Sequence, residues 1–390
     1  MKRIAFLLLL MAGMSLQAQE GWKIEWHGFV NPHLYADSRE VVGGREDMML
    51  FYPKPVGLNA EGEDTNAVPG LNMLSITARL GLTVQGPDVL GAKMKGYIEG
   101  DFTGATNATI NNLRLRHAYI DMRWENDELL MGQYWYAMTI HEIMPGTTPL
   151  NMGAPFHPYA RYNQFRYTHT WGLGNENQYL EAVAVAQFQL DNMSQGPLGS
   201  STLYARQSMI PEMNLQLRYR GEHLFFGVAA NMITLNYPTA GNFSRFSYSI
   251  FGKYAAGNWC LKAQTLLNNT IYEGCSMGGY VLNYNALGTA IESIESVPFN
   301  TVWADFAKTT GRWRPGIFLG YGQASSNPDP ALPYYGRGKD IRNLWRVQPR
   351  LEYAAGNGLG FAAEVEYTQA EYLNGPADNV RLVLDAVYKF

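Results

Sequence analysis

Arg79, Lys93, Lys95, Glu99, Asp101, Arg114 and Arg116 fall in one stretch of the chain, each beside a non-polar residue. Successive side chains of an extended strand point to opposite faces, so this spacing gathers the seven charges on one surface. Planar guanidinium groups bind carboxylate and phosphate through two parallel hydrogen bonds, and rings of cations select anions. Glu99 and Asp101 open a second reading, in which they neutralise the cations of the neighbouring strands. Other chemistry is thinly represented. The seven histidines are scattered with no i, i+4 pair that would suggest a metal, and no serine-centred elbow stands out. A triad dispersed along the chain is not excluded by spacing. No cofactor is expected, and a net charge of −4 argues against nucleic acid as a partner.

The elements that carry these charges read as strands. Leu74, Ile76, Ala78, Leu80, Leu82 and Val84 alternate with Ser75, Thr77, Arg79, Gly81, Thr83 and Gln85. Met213, Leu215, Leu217 and Tyr219 alternate with Asn214, Gln216, Arg218 and Arg220. A soluble sandwich alternates too, but its strands run to about five or six residues, whereas membrane strands need about ten. Most runs here have the membrane length. Short turns such as Gly86–Val89, Glu125–Asp127, Gly221–Glu222 and Ala355–Gly358 alternate with longer segments at 37–70, 104–109, 137–159, 192–208, 236–242, 270–298, 324–340 and 373–378. That is the turn-and-loop grammar of an outer-membrane barrel. The expected fold is all-β: a transmembrane antiparallel β-barrel of about 16 strands, filling residues 19–390, with both termini on the periplasmic side. One conflict stands in the strand after Asn112. Arg114 and Arg116 oppose Leu113 and Leu115, yet Ile120, Met122 and Trp124 share the parity of Arg114. Either a bulge intervenes or part of this strand faces another subunit.

The ends agree with export. Lys2 and Arg3 precede an apolar run too short to span a bilayer, and Ala18 offers a cleavage site, so residues 1–18 read as a signal peptide. The last strand places Ala386, Tyr388 and Phe390 on one face. A terminal aromatic there resembles the signal read by barrel-assembly machinery, which, with outer-membrane lipid, is an expected partner. An oxidising compartment invites a bridge between Cys260 and Cys275. The strand reading places Cys260 by a periplasmic turn and Cys275 in a distant loop, about 40–50 Å away. A disulfide needs Cα atoms within about 7 Å. Free thiols are expected, with Cys275 the more reachable from outside.

Residues 76–136 resemble a known family. Ile76-Thr77-Ala78-Arg79-Leu80-Gly81-Leu82, Gly96-Tyr97-Ile98-Glu99-Gly100-Asp101-Phe102, Leu113-Arg114-Leu115-Arg116-His117-Ala118-Tyr119 and Leu129-Leu130-Met131-Gly132-Gln133-Tyr134-Trp135 look like the trimeric porins of the DcaP-like and phosphate-selective type. Arg346 to Tyr372 is similar to their closing strands. The resemblance implies a homotrimer, an arginine-lined constriction, small anionic solutes as cargo and a third external loop folded into the lumen. That loop, Ala137 to Tyr159, carries four prolines with His141, Glu142 and His157; the alternative is an exposed cap. A porin without enzymatic activity is the expectation. A closed structural or adhesive barrel, or a barrel-borne enzyme, is the alternative.

Overall fold

In the computed structural model the described residues are 21–148, 152–174, 177–237, 239–326, 328–329 and 331–390. The expected signal peptide lies outside them. The strands are β1 (Lys23–Val30), β2 (His33–Asp37), β3 (Val41–Gly44), β4 (Met49–Pro53), β5 (Gly70–Leu74), β6 (Arg79–Val89), β7 (Ala92–Asp101), β8 (Arg114–Arg123), β9 (Asp127–Trp135), β10 (Arg161–Gly172), β11 (Tyr179–Phe188) and β12 (Glu212–Arg220). They continue as β13 (Leu224–Tyr237), β14 (Gly241–Ala256), β15 (Trp259–Leu267), β16 (Gly278–Tyr284), β17 (Ile291–Val297), β18 (Phe299–Lys308), β19 (Trp313–Ala324), β20 (Tyr334–Arg337), β21 (Ile341–Gly356), β22 (Leu359–Tyr372) and β23 (Gly375–Lys389).

Eighteen of these segments form one antiparallel sheet that closes on itself, because β23 pairs with both β1 and β2. β1 and β2 run in line as one barrel strand, and so do β5 and β6, which gives a 16-stranded barrel. The break in the first follows Asn31-Pro32, where proline has no N–H to donate. The break in the second corrects the continuous strand expected over Leu74–Gln85: Ile76 turns inward and is buried. The two breaks lie side by side and seal each other. The Thr77 hydroxyl donates to the Asn31 carbonyl at 3.1 Å, and the Asn31 amide donates to the Ala386 carbonyl at 2.8 Å.

The alternation appears as two surfaces. Trp26, Leu80, Ile98, Leu215, Leu217, Leu382 and Leu384 face outward, while Asn214, Gln216, Arg346, Gln348 and Arg381 are buried within. The expected long segments at 236–242 and 373–378 are instead tight hairpins, because β13–β14 and β22–β23 keep pairing to Tyr237↔Gly241 and Tyr372↔Gly375. Parts of the remaining long segments fold into the barrel, while others, at Leu58, Leu198 and Leu287, stay exposed. β3 and β4 pair as a hairpin, and β16, β17 and β20 form a second small sheet. Met48, Phe51, Phe156, Met277, Tyr280 and Trp303 join one apolar cluster, so the hydrophobic core lies inside the barrel.

The chain end is held by backbone and by ring. Phe390 exchanges two hydrogen bonds with Gly28, at 3.0 and 3.1 Å. A Cβ at Gly28 would lie 2.9 Å from the Phe390 ring and 2.4 Å from the Arg79 carbonyl, so only glycine admits this contact. Tyr388 and Phe390 point outward, on the face of Leu382 and Leu384. Deleting Phe390, or changing Gly28→Val, is expected to lower the fraction of heat-modifiable folded barrel on cold gels. Unchanged abundance in both variants would remove the assembly role.

Cys260 and Cys275 are both free and both buried. Cys260 pairs across from Ala255 beside a short turn, and Cys275 sits in the loop before β16. Cys275 is more enclosed than the expectation that it is the more reachable thiol implies, although it lines a small cavity. Its loop folds inward, the Asn192 amide donates to its sulfur at 3.2 Å, and it is 8% exposed. A bulky impermeant maleimide should leave native protein unlabelled and modify both thiols after denaturation. A linked Cys260–Cys275 peptide in mass spectrometry would refute the strand placement.

Candidate functional site

The strand bearing Arg114 and Arg116 resolves its own parity conflict. Its pairing with β7 shifts register between Glu99 and Gly100, which face His117 and Leu115, so Arg116 is the extra residue of a bulge. Below the bulge Tyr119 and Asp121 point inward; above it Arg114 does, and at the bulge Arg116 and His117 both do. Of the two explanations open in the sequence, the bulge holds.

The bulge also parts two strands. β8 pairs with β9 only from Ala118↔Gln133 toward the periplasmic turn. Beyond that point the Gln133 amide donates to the Leu115 and Arg116 carbonyls at 2.9 and 3.0 Å, bridging the gap with a side chain.

Arg114 binds Asp101 through two hydrogen bonds, at 3.1 and 2.9 Å. Arg116 lies between Glu99 at 2.6 Å and Asp101 at 2.8 Å, and Arg79 stands 3.5 Å from Glu99. The seven charges therefore do not act as one ladder. Arg79, Glu99, Asp101, Arg114 and Arg116 form one compact network. Lys95 pairs with Asp121 at 2.8 Å, and with Lys93 it lines a separate cavity near the short-turn end. The neutralising reading of Glu99 and Asp101 describes this geometry well. Arg116 is almost fully buried, and removing one member of a buried ion pair costs about 3–5 kcal/mol.

Above and below this network lie two cavities that share Tyr159 in their linings. The outer, about 200 Å³, is lined by Arg45, Arg114, Arg161, Asp191 and Arg337. The inner, about 450 Å³, is lined by Arg79, Arg116, Trp135, His141 and Thr148. Arg161 donates to the His117 ring at 3.3 Å and to the Tyr159 hydroxyl at 3.2 Å, and its guanidinium lies 4.0 Å over the Trp135 ring. Arg45 is presented by a turn in which Arg45, Glu46 and Asp47 all have positive φ, near 61°, 53° and 61°. None of the three is glycine, so that backbone is strained and is held from outside. The Asn107 side chain accepts from the Arg45 N–H at 2.6 Å, and Arg381 donates to the Asp47 carbonyl at 2.7 Å.

Residues 136–148 and 152–160 lie in the barrel interior; Pro149, Leu150 and Asn151 of the expected third loop are outside the described residues. Gln216 donates to the Ala137 carbonyl at 2.8 Å, and Lys262 to the Met144 carbonyl at 2.6 Å. The Gly146 and Thr148 N–H groups donate to Asp305 and Glu364, each at 3.0 Å. Arg346 donates to the Ala154 carbonyl at 2.8 Å. His141 lines the inner cavity. Glu142 is held by Arg218 at 3.1 Å and Arg220 at 3.3 Å; burial would raise its carboxyl, but the two arginines outweigh that and hold it at about 2. His157 is not a lining residue, contrary to expectation. It is wholly buried, meets Gln264 at 2.8 Å and packs edge-on against Trp303, and burial lowers its ring to about 4.

Sequence reading missed Arg45, Arg161 and Arg337. Arg161 opens β10, where Tyr162, Gln164 and Arg166 alternate inward, but an aromatic Tyr162 facing in beside a polar Asn163 facing out blurs the phase. Arg45 comes from a turn, and Arg337 from the end of the four-residue β20 outside the barrel wall, both too short for periodicity to register.

No family model matches this chain, and no curated protein matches it. Solved structures do. The outer membrane channel DcaP of Acinetobacter baumannii aligns over 96% of this chain and 99% of its own, at 16% identity and a TM-score of 0.67. An anion-selective porin from Comamonas acidovorans covers 95% and 100% at 10% identity and 0.59, and a loop-deletion mutant of OmpT, an outer membrane protein of Vibrio cholerae, covers 95% and 100% at 10% and 0.57. Replacing Gln133→Leu is expected to lower stability by about 1–3 kcal/mol, since two carbonyls lose their donor. The readout is the temperature at which the folded band converts on gels; no change would mean the bridge is idle. The chain has the fold of the DcaP channel, a 16-stranded outer-membrane barrel.

Proposed function

We propose that this protein is an outer-membrane porin, exported by cleavage after Ala18, that passes small polar solutes and favours anions. The observation that carries the reading is the outer cavity. Among the described residues, Arg45, Arg161 and Arg337 have no carboxylate at ion-pair distance, and Asp191 is the one carboxylate on that lining. Cations left unpaired beside a small water-accessible space attract anions and raise their local concentration. In this reading the third loop narrows the lumen between the two cavities, supported by the backbone hydrogen bonds that tie its described residues to the wall. The channel character of the DcaP-type neighbour and the anion selectivity of the Comamonas porin agree with this reading. A homotrimer fits the apolar outer face at Leu71 and Leu113, which are 74% and 73% exposed in the single chain. The chain's own residues present no metal cluster among the described ones, and the reading includes no catalysis.

The test is the reversal potential of the purified channel in a potassium chloride gradient. Anion preference is expected, and it should weaken when Arg45 and Arg161 are both changed to Gln. Arg114 and Arg116 are the wrong targets, since their loss would strand Glu99 and Asp101. A cation-selective wild type would sink the anionic reading, and a silent barrel would favour a structural role.

Tyr159 adds a pH dependence. Burial raises its phenol, but Arg161, Arg116 and Arg79 together outweigh burial and bring it down to about 7. Below that pH the phenol is neutral, and above it a phenolate cancels one positive charge. Anion preference is therefore expected to fall as pH rises through about 7 and to fall less in Tyr159→Phe. Identical profiles would show that Tyr159 does not titrate there.

A further inference from the structure

The polar wall of a water-filled barrel has little need of aromatic rings, yet one quadrant of this lumen is paved with them. His27 on β1 stacks on Tyr97 of β7, with centroids 5.4 Å apart and planes at 13°. Tyr97 meets Tyr119 of β8 at 5.3 Å with planes at 33°, and Tyr119 meets Tyr134 of β9 edge to face, at 5.1 Å and 82°. The four rings form an unbroken belt across the inner face. Two positions between them carry no side chain. A Cβ on Gly81 would lie 2.1 Å from the His27 ring, so glycine is what lets that ring lie flat across β6. Gly132 stands opposite Tyr119 on β9.

Core packing does not account for the belt. Elsewhere in the lumen the inward aromatics Phe225, Phe251, Trp303 and Phe318 are almost wholly buried and belong to the apolar cluster. His27, Tyr97 and Tyr119 lie outside that cluster and remain half-buried, and Tyr134 packs against its edge. Cations border the belt. Lys95 lies over the Tyr119 ring, 5.6 Å from its centroid, and Arg166 over that of Tyr134 at 5.4 Å. At the upper end His117 contacts both Tyr134 and Trp135, which leads to the arginines around Tyr159. Glu99 accepts from the Tyr97 hydroxyl at 2.9 Å and Asp121 pairs with Lys95, so Arg166 and the arginines around Tyr159 supply the positive charge; aromatic faces and edges beside those cations are complementary to a solute with a planar ring and an anionic group.

We infer that the belt His27–Tyr97–Tyr119–Tyr134 is a stacking track, and that the channel favours aromatic carboxylates among anions of similar size and charge. This rests on the reading of the protein as an anion-selective porin and names its cargo class. One aromatic stack offers roughly two- to tenfold discrimination over a saturated ring.

The experiment uses the purified, unaltered channel in planar bilayers and in liposomes. Benzoate and cyclohexanecarboxylate have the same charge and nearly the same size, and differ in the flat ring. Benzoate is expected to interrupt chloride current at several-fold lower concentration and to enter liposomes faster. In the double variant Tyr97→Leu, Tyr119→Leu that preference should vanish while the reversal potential in potassium chloride stays anionic. Equal behaviour of the two acids in the unaltered channel would overturn the stacking track and leave the porin reading intact. A benzoate preference that survives the double variant would overturn the assignment to these rings. A cation-selective or silent unaltered channel would bring down the porin reading, and this inference with it. If the double variant fails to assemble, the comparison of the two acids on unaltered protein still decides.

Discussion

Hydrocarbon offers a peptide group no hydrogen-bonding partner, so a strand that enters a membrane must be paired on both sides along its length. In this chain the requirement is met where β23 returns to β1 and β2, and Phe390 exchanges its backbone bonds with Gly28. Closure removes the last free edge. It also fixes two surfaces with opposite solvents, which is why leucine and valine alternate with arginine, glutamine and glutamate along nearly every strand. The two places where the wall is discontinuous obey the same constraint. The aligned breaks at Asn31 and Thr77 are sealed by their side chains, and the parting of β8 from β9 is bridged by Gln133.

Closure then creates an interior that must be filled with groups compatible with a charged wall. The structure answers with loops that are apolar toward each other and polar toward the wall. Phe156, Met277 and Tyr280 cluster, while the backbone of the Tyr136–Ala160 segment is held by Gln216, Lys262, Asp305, Glu364 and Arg346. Most wall arginines are spent in ion pairs: Arg350 with Asp305 at 2.6 Å, Arg381 with Asp37 at 2.6 Å, Arg346 with Glu366 at 3.1 Å. A buried pair of this kind adds little net stability, but it becomes costly to break, and it keeps a segment in one place. The contrast gives Arg45, Arg161 and Arg337 their meaning. Where pairing is the rule, cations beside a cavity without a carboxylate partner are the exception that a solute would meet.

The sequence by itself determined the class of fold. Period-two alternation over membrane-length runs, the rhythm of short turns, and the terminal phenylalanine follow from a constraint that acts on each residue locally, since every side chain faces either lipid or lumen. It also exposed the phase conflict at Arg116, because a bulge shifts parity in a way that can be read along a single strand. Tertiary structure alone decided which charges cancel. Glu99 and Asp101 are distant in sequence from Arg116, and only the register of β7 on β8 makes them partners rather than members of a ladder. It alone turned segments inward at His157 and Cys275, burying both, and it alone brought Arg45 from its turn and Arg337 from β20 to the cavity of Arg161. Alternation records which face a residue occupies; how far a loop reaches across the lumen depends on contacts between distant segments, and no local pattern encodes them.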